Sequence, residues 1–293
     1  MSSSKDAVRI SGRLRPSSLY QLQRWSQGPV DPQQRTKVQG PMRTLKMSYP
    51  LGFLRISARK YNEEFLGGSI YMNPLHTFQK WEDPTSELRG DKLEGVLMHA
   101  QPSPETTLTI EVPRTGEKWV FDGTAMAAPL TVSSGEGNAF CLIQLCERNT
   151  KVLGDLEALL FQQHPDVVEG EFRKVEYTLQ YAVDPRMKGF GDSCVMISDP
   201  EEFANRLRLA CERDLDKGLL ETYGFRPVSY FDPATFDGNG LRHGFWKRKD
   251  FEHQYEWRLM AYPREPGPYR LEIGSIADIA RFIPTEDLFD PLT

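Results

Sequence analysis

Apolar and polar residues alternate along several short stretches of the chain, and this two-residue period predicts strands. The clearest alternation covers Glu171–Tyr181, and another covers Gly52–Ser57, where Phe53, Arg55 and Ser57 share one face. Two largely apolar runs, Phe140–Leu145 and Cys194–Ile197, predict buried strands, and only Gln144 interrupts them. Further strand patterns occupy Ser69–Met72, Leu108–Val112, Trp119–Asp122, Arg226–Phe231, Phe251–Ala261 and Tyr269–Ile273.

Helical patterns are fewer than strand patterns. The most distinct begins at Asp199, an N-cap residue that is followed by Pro200 at the first helical position and Glu202 at the third. Its apolar stripe ends before Gly218 and consists of Phe203, Leu207, Ala210, Cys211 and Leu215. Shorter helical or irregular segments are predicted at Ser17–Trp25, Tyr61–Leu66, Pro74–Trp81 and Gly154–Gln163. Because strands outnumber helices and do not alternate strictly with them, we predict an α+β fold: a single domain with a largely antiparallel or mixed sheet and a few flanking helices.

The first 48 residues differ in charge from the rest of the chain. Residues 1–48 hold nine lysines and arginines against two aspartates, a balance of +7, and since the whole chain carries −5, the remainder carries −12. We therefore divide the chain into a basic N-terminal arm (1–48) and an α+β domain (49–293). The arm suits contact with nucleic acid or an acidic partner. We favour a solvated tail that folds back on the acidic body of its own chain, because the arm lacks the dense Lys/Arg clusters of a dedicated phosphate binder.

Composition and missing motifs exclude several classes of protein. With 39% apolar and 26% charged residues, the chain is typical of a globular protein. No apolar run suits a membrane span, and the N-terminus lacks the apolar segment of a secretory signal, so we expect a cytoplasmic protein. The four cysteines form no CxxC pair and the histidine spacing does not suit zinc, so we predict no metal site. The lack of GxGxxG, Walker A, GxSxG and HExxH sequences argues against dinucleotide oxidoreductases, P-loop NTPases, α/β-hydrolases and zincin proteases.

Gln254 and Glu256 form the most informative polar pattern. They stand two positions apart on the predicted strand Phe251–Ala261, so they project from the same face, beside Glu252 and Arg258. A carboxylate in this position can hold a ribose hydroxyl while the neighbouring amide positions a nucleophile. The same spacing is typical of an exposed polar face with weak surface ion pairs. From the spacing alone, we favour the exposed polar face.

The Gln254-x-Glu256 pair resembles the Q-x-E element of ADP-ribosyltransferases. The early segment is also similar to that superfamily, with Arg55 on a first strand, a short helix, and then the run Gly67-Gly68-Ser69-Ile70-Tyr71-Met72-Asn73. The resemblance implies an enzyme that cleaves NAD and transfers ADP-ribose to an unknown acceptor, a protein or a nucleic acid. It implies that Arg55 binds the phosphate or ribose of NAD, and that Ser69 and Tyr71 lie near the nicotinamide. Gln254 and Glu256 are then the catalytic pair, and replacing Glu256 with glutamine should abolish cleavage without unfolding the protein.

A second hypothesis assigns no catalysis to the chain. Its early G-x-I-Y-x-N strand and late E-x-R sequence are similar to uncharacterised bacterial and phage proteins. A phage- or defence-associated interaction protein of this kind would dock on its partner through the basic arm and would have no deep cleft at Glu256.

Two other polar segments have a structural and a functional interpretation. Arg89-Gly90-Asp91, with Glu94, is either a tight turn or a pair of acids beside a phosphate clamp, and we expect the turn. Lys247-Arg248-Lys249 is either a phosphate contact or an exposed turn, and we expect the turn.

Overall fold

The computed structural model describes most of the α+β domain and one segment of the arm. The described residues are 8–14, 50–80, 90–103, 107–111, 118–125, 127–146, 150–153, 173–181, 183–236, 244–283, 285 and 288–289. Their strands, in chain order, are β1 (Val8–Leu14), β2 (Gly52–Ser57), β3 (Ser69–Pro74), β4 (Val96–Ala100), β5 (Thr107–Glu111), β6 (Lys118–Asp122), β7 (Leu130–Ser133), β8 (Asn138–Leu145), β9 (Thr150–Leu153), β10 (Arg173–Tyr181), β11 (Ser193–Ile197), β12 (Leu220–Pro227), β13 (Ser229–Phe231), β14 (Trp246–Arg248), β15 (Glu256–Pro263), β16 (Tyr269–Glu272) and β17 (Ala280–Ile283). Their α-helices are α1 (Arg59–Leu66), α2 (Leu75–Lys80) and α3 (Pro200–Asp216), and their 3₁₀ helices are Gly123–Ala125, Pro185–Phe190 and Lys249–Gln254.

An eight-stranded sheet is the largest of the sheets that these residues form. Its strand order is β12-β15-β8-β2-β11-β17, and β3 adds a branch because it pairs with both β8 and β16. The described pairs in this sheet are antiparallel. Smaller antiparallel groups are β1-β10-β9, β4-β7 and β5-β6, while β13 and β14 run parallel. The predicted fold, a single α+β domain with a largely antiparallel sheet and a few flanking helices, is confirmed.

Helix α3 covers one face of the sheet, and its sequence signals are confirmed. The Asp199 carboxylate accepts a hydrogen bond from the Glu202 N–H at 2.9 Å, which caps the helix as the sequence predicts. The buried residues of the helix join one core cluster with apolar side chains of β2, β8, β11 and β15. The helical members of that cluster are Phe203, Ala204, Leu207, Ala210 and Cys211.

The alternate residues of the same strands, which point to the other face of the sheet, form a second core cluster. Leu54 and Ile56 of β2 belong to it, as do Cys194 and Met196 of β11. The alternation predicted for Gly52–Ser57 is therefore confirmed, since Phe53 joins the first cluster. No helix within the described ranges is both long enough and apolar enough to cross a membrane.

Two predicted late strands are interrupted in the structure. The predicted strand Phe251–Ala261 is wrong in its first half, because Lys249–Gln254 form a 3₁₀ helix and β15 begins at Glu256. Tyr255 joins the two with a φ of 43°, which no regular strand contains. The predicted strand Arg226–Phe231 is divided into β12, which ends at Pro227, and β13, which begins at Ser229. Between them the Val228 N–H donates to the Glu256 carbonyl, in register with the β12–β15 pairing.

Several predictions fall on residues that the structure does not describe. The predicted helices Ser17–Trp25 and Gly154–Gln163 lie outside the described residues. Within the arm, β1 is described and pairs with β10 along its whole length, from Val8 opposite Leu179 to Leu14 opposite Arg173. Whether the arm binds a partner stays a prediction.

Gly68 lies where two backbone segments approach too closely for a side chain. It has a φ of +96°, and a Cβ added there would lie 2.0 Å from the Gly274 carbonyl oxygen. We expect Gly68→Ala to lower the free energy of unfolding by about 3 kcal/mol or more, because strain and overpacking each cost about 1–3 kcal/mol. Gly218 is the matched control, since its φ is +68° with nothing within 4 Å of the added Cβ. Urea unfolding should show a cost of only about 1–2 kcal/mol for Gly218→Ala; equal costs at the two positions would contradict the tight approach.

Candidate functional site

A fork in the main sheet opens beside the middle of β8. Strand β2 pairs with β8 only over residues 143–145, and β3 pairs with it only over residues 138–139. No described strand pairs with Phe140, Cys141 and Leu142 on that side. The Gln144 N–H donates to the Tyr255 carbonyl, toward β15, at 2.8 Å. Because neighbouring residues of an antiparallel strand direct their main-chain groups to opposite sides, those of Cys141 point into the fork.

A cavity of about 730 Å³ occupies the fork. This volume lies within the range of sites that hold small-molecule ligands. Arg55 and Glu256 are 201 positions apart in the sequence, and both line the cavity. The predicted site residues that it brings together are Arg55, Ser69, Tyr71, Gln254 and Glu256.

Arg55 is held rigidly in the cavity wall. Its Nη1 donates to the Tyr61 carbonyl and to the Asn62 Oδ1, each at 2.8 Å. The guanidinium also lies over the Phe65 and Phe140 rings, 5.1 and 5.2 Å from their centroids. Burial lowers the pKa of Arg55 to about 10, so the side chain keeps its charge at neutral pH. Among the described residues, its side-chain hydrogen-bond partners use only Nη1, which leaves Nε and Nη2 to bind an anionic ligand.

Aromatic and polar side chains line the cavity on the α1 and β3 side. Tyr61 and Tyr71 are 45% and 42% exposed, an unusual exposure for large aromatic rings and one that suits stacking on a planar ligand. Arg270 lies over the Tyr71 ring and donates to the Ser69 Oγ at 2.8 Å. Ser69 in turn donates to the Glu272 carboxylate at 2.8 Å, so its hydroxyl already has two protein partners.

Gln254 and Glu256 meet in a way that the sequence does not predict. The prediction that they project side by side from one strand is wrong, because Gln254 ends a 3₁₀ helix and Glu256 begins β15. Lys247 brings them together: its Nζ donates to Gln254 Oε1 at 2.8 Å and to Glu256 Oε2 at 3.0 Å. The expectation that Lys247 lies in an exposed turn is also wrong, since it is 9% exposed.

Glu256 belongs to a buried charge cluster, which we define as Glu94, Lys247, Glu256 and Arg258. Arg258 Nε donates to Glu256 Oε1 at 2.6 Å, and Arg258 Nη1 donates to the Glu94 carboxylate and to the Gly244 carbonyl. Two carboxylates thus face two cations, and the cluster has no net charge. Burial on its own would raise the pKa of Glu256, but the charges of Arg258 and Lys247 outweigh burial and hold it well below its usual range.

The turn at residues 90–95 supplies one wall of this cluster. Asp91 accepts hydrogen bonds from the Leu93 N–H and from the main chain and Nε of Arg248, the last at 2.7 Å. Glu94 reaches Arg258 from the same turn. Gly90 has a φ of 87°, as a tight turn requires. The two acids therefore anchor the turn to β14 and β15, while Arg89 lies outside the described residues.

Glu94, Lys247 and Arg258 are not recognisable as one unit from the sequence. A usable signal was present for Arg258, which stands between Trp257 and the apolar run Leu259–Ala261. A charge in such a buried setting has to be paired. Among the described residues, no three His, Cys, Asp or Glu side chains come together as a group that could hold a metal ion.

No protein-family model, no curated protein and no solved structure matches this chain. Its function is therefore inferred from the cavity.

Proposed function

We propose that the protein cleaves the glycosidic bond between nicotinamide and ribose in NAD and transfers ADP-ribose to an acceptor. The observation that carries the proposal is that Arg55 and Glu256, distant in the sequence, line one cavity. Arg55 offers a fixed guanidinium with two nitrogens directed to no described partner, which suits the pyrophosphate of NAD. The exposed rings of Tyr61 and Tyr71 suit the planar nicotinamide.

Glu256 supplies the charge that this cleavage needs. When the bond between the ribose C1′ and the nicotinamide nitrogen breaks, the nitrogen takes the electron pair and nicotinamide leaves as a neutral molecule. The ribose is left with positive charge, which a carboxylate that is already ionised and fixed in place stabilises. Lys247, Arg258 and the Cys141 thiol occupy three of the about four lone-pair directions of the Glu256 carboxylate, so one remains for a ribose hydroxyl. The acceptor then forms a bond to C1′ and loses a proton.

The cavity lies where the non-catalytic hypothesis expects no cleft. Docking of the arm on a protein or nucleic acid remains compatible with transfer, because the acceptor itself can be such a partner. The described arm residues are confined to β1, so this contact stays a prediction.

Release of nicotinamide from labelled NAD tests the proposal. We expect the protein to release nicotinamide, and Arg55→Lys to raise the KM for NAD about 10- to 100-fold, because a charge-assisted hydrogen bond contributes about 1.5–3 kcal/mol. Arg59→Lys is the matched control: Arg59 is an exposed arginine of the same segment that pairs with Glu63, and its replacement should leave KM unchanged. No release above the rate without protein, or equal effects of the two substitutions, would refute the proposal.

A further inference from the structure

Lys247 is a buried cation that touches the two predicted catalytic side chains. Its Nζ lies 2.8 Å from Gln254 Oε1, 3.0 Å from Glu256 Oε2 and 4.7 Å from the centroid of the Phe251 ring. Removing an ammonium group from water costs several kcal/mol unless it is paired. The contacts of Lys247 with the Gln254 amide and the Glu256 carboxylate therefore offset the cost of burying its ammonium group.

The two oxygens of Glu256 are held from two different elements. Lys247 of β14 binds Oε2, and Arg258 of β15 binds Oε1 at 2.6 Å. Arg258 is itself fixed by Glu94 and by the Gly244 carbonyl. With one cation on each oxygen, the carboxylate cannot rotate without breaking an ion pair. Its plane relative to the cavity is set by Lys247 and Arg258 together.

The other polar groups around Glu256 do not replace the charge of Lys247. The Cys141 thiol of β8 contacts the carboxylate, and burial raises the pKa of that thiol, so it stays neutral. The Tyr230 hydroxyl of β13 accepts from the Glu256 N–H at 2.9 Å, and burial raises its pKa as well. Glu94 competes for Arg258. Among the described residues, Lys247 is thus the cation in this cluster that Glu256 does not share with a second carboxylate.

We propose that Lys247 is a positioning residue that orients the Glu256 carboxylate toward the bound ribose and couples it to Gln254. This inference rests on the NAD cleavage proposed above. Lys247 acts through Glu256 and Gln254 and forms no bond to the reacting atoms. It therefore affects the chemical step more than the binding of NAD.

Steady-state kinetics of Lys247→Met and Lys247→Arg test the proposal, with Lys217→Met as an exposed control at the end of α3. We expect Lys247→Met to lower kcat by about 100-fold with the KM for NAD within about threefold of the original value, since a misplaced catalytic group costs about that factor. Lys247→Arg keeps the charge but not the geometry, so kcat should fall by a smaller factor at unchanged KM. Lys217→Met should change neither constant.

The pH profile separates positioning from a loss of stability. In the original protein kcat should have no acid limb from Glu256, whose pKa lies far below its usual range. Removal of the Lys247 charge moves the pKa of Glu256 upward, so Lys247→Met should lose kcat as the pH falls toward 5, while Lys247→Arg should not. A merely structural lysine would lower the amount of active protein at all pH values alike. If Lys247→Met does not fold, Lys247→Arg decides, and a kcat equal to that of the original protein overturns the proposal.

A second readout keeps this inference distinct from the proposed function. Carbon-13 NMR of labelled glutamate carboxyl groups, assigned with Glu256→Gln, reports the ionisation of Glu256 without any substrate. We expect its signal not to titrate in the original folded protein and to titrate in Lys247→Met. A protein that releases no nicotinamide but shows this difference would refute the proposed function and retain the orienting contact. An identical titration in both proteins would overturn the role of Lys247.

Discussion

Replacing Glu256 with glutamine is expected to abolish nicotinamide release and also to lower the free energy of unfolding by about 3–5 kcal/mol. The loss of activity follows because glutamine cannot supply the negative charge that stabilises the cleaved ribose. The loss of stability follows because Glu256 is 5% exposed and pairs with both Lys247 and Arg258, which would be left as buried cations with one carboxylate between them. Because Glu256 is buried and paired, we no longer expect this substitution to leave the fold intact, as the sequence alone suggested.

A double variant separates the two effects of that substitution. Lys247→Met combined with Glu256→Gln removes one cation together with one anion, so it should recover part of the lost stability and none of the activity. Urea unfolding and nicotinamide release measure the two quantities on the same preparations. A Glu256→Gln protein with unchanged stability and activity would show that the buried charge cluster has neither role.

Arg258→Met is the substitution with the largest expected effect on stability alone. Arg258 is 2% exposed and joins Glu94 to Glu256, so its loss leaves two buried carboxylates close to each other and should cost about 3–5 kcal/mol. Arg59→Met is the matched control, because Arg59 forms an exposed pair with Glu63. An exposed pair contributes about 0–1 kcal/mol, and urea unfolding should reproduce this contrast.

The stability of the original protein and the stability of Arg258→Met should change with pH in opposite directions. In the original protein the depressed pKa of Glu256 gives stability that is present above the usual glutamate pKa and lost as the pH falls below it. In Arg258→Met the two buried carboxylates are left with one cation, Lys247, so one negative charge is unbalanced at neutral pH. Protonation at low pH removes that charge, so stability is highest at low pH and is lost as the pH rises. We therefore expect Arg258→Met to be more stable at pH 5 than at pH 8. Equal unfolding free energies at both pH values would contradict the pairing.

Local sequence patterns were sufficient where local forces decide the structure. The cap at Asp199 and the apolar stripe of α3 depend on neighbours within one or two turns, and both are confirmed. Strand β2 has the bounds predicted from its alternation. The alternation across Phe251–Ala261 was misleading, because it continues through a 3₁₀ helix. The turn at Tyr255 is coupled to contacts with distant segments, among them the bond between the Val228 N–H and the Glu256 carbonyl.

The candidate site could be predicted from the sequence only in part. Residue types and a family resemblance were enough to name Arg55 and Glu256, but their meeting depends on the fork between β2 and β3. The charge cluster could not be predicted from a local pattern, since Glu94 and Arg258 are 164 positions apart. Lys247 sits in a basic triplet whose other members, Arg248 and Lys249, are not fully buried. Its burial follows from packing against Phe251 and Glu256, which no local pattern reveals.

A crystal structure with a non-cleavable NAD analogue is the most direct measurement of whether one dinucleotide spans Arg55 and Glu256. We expect the analogue in the fork, with its pyrophosphate bonded to the Arg55 guanidinium and the ribose next to nicotinamide bonded to the Glu256 carboxylate. An analogue that binds elsewhere, or a cavity that stays empty at saturating concentration, would contradict the account.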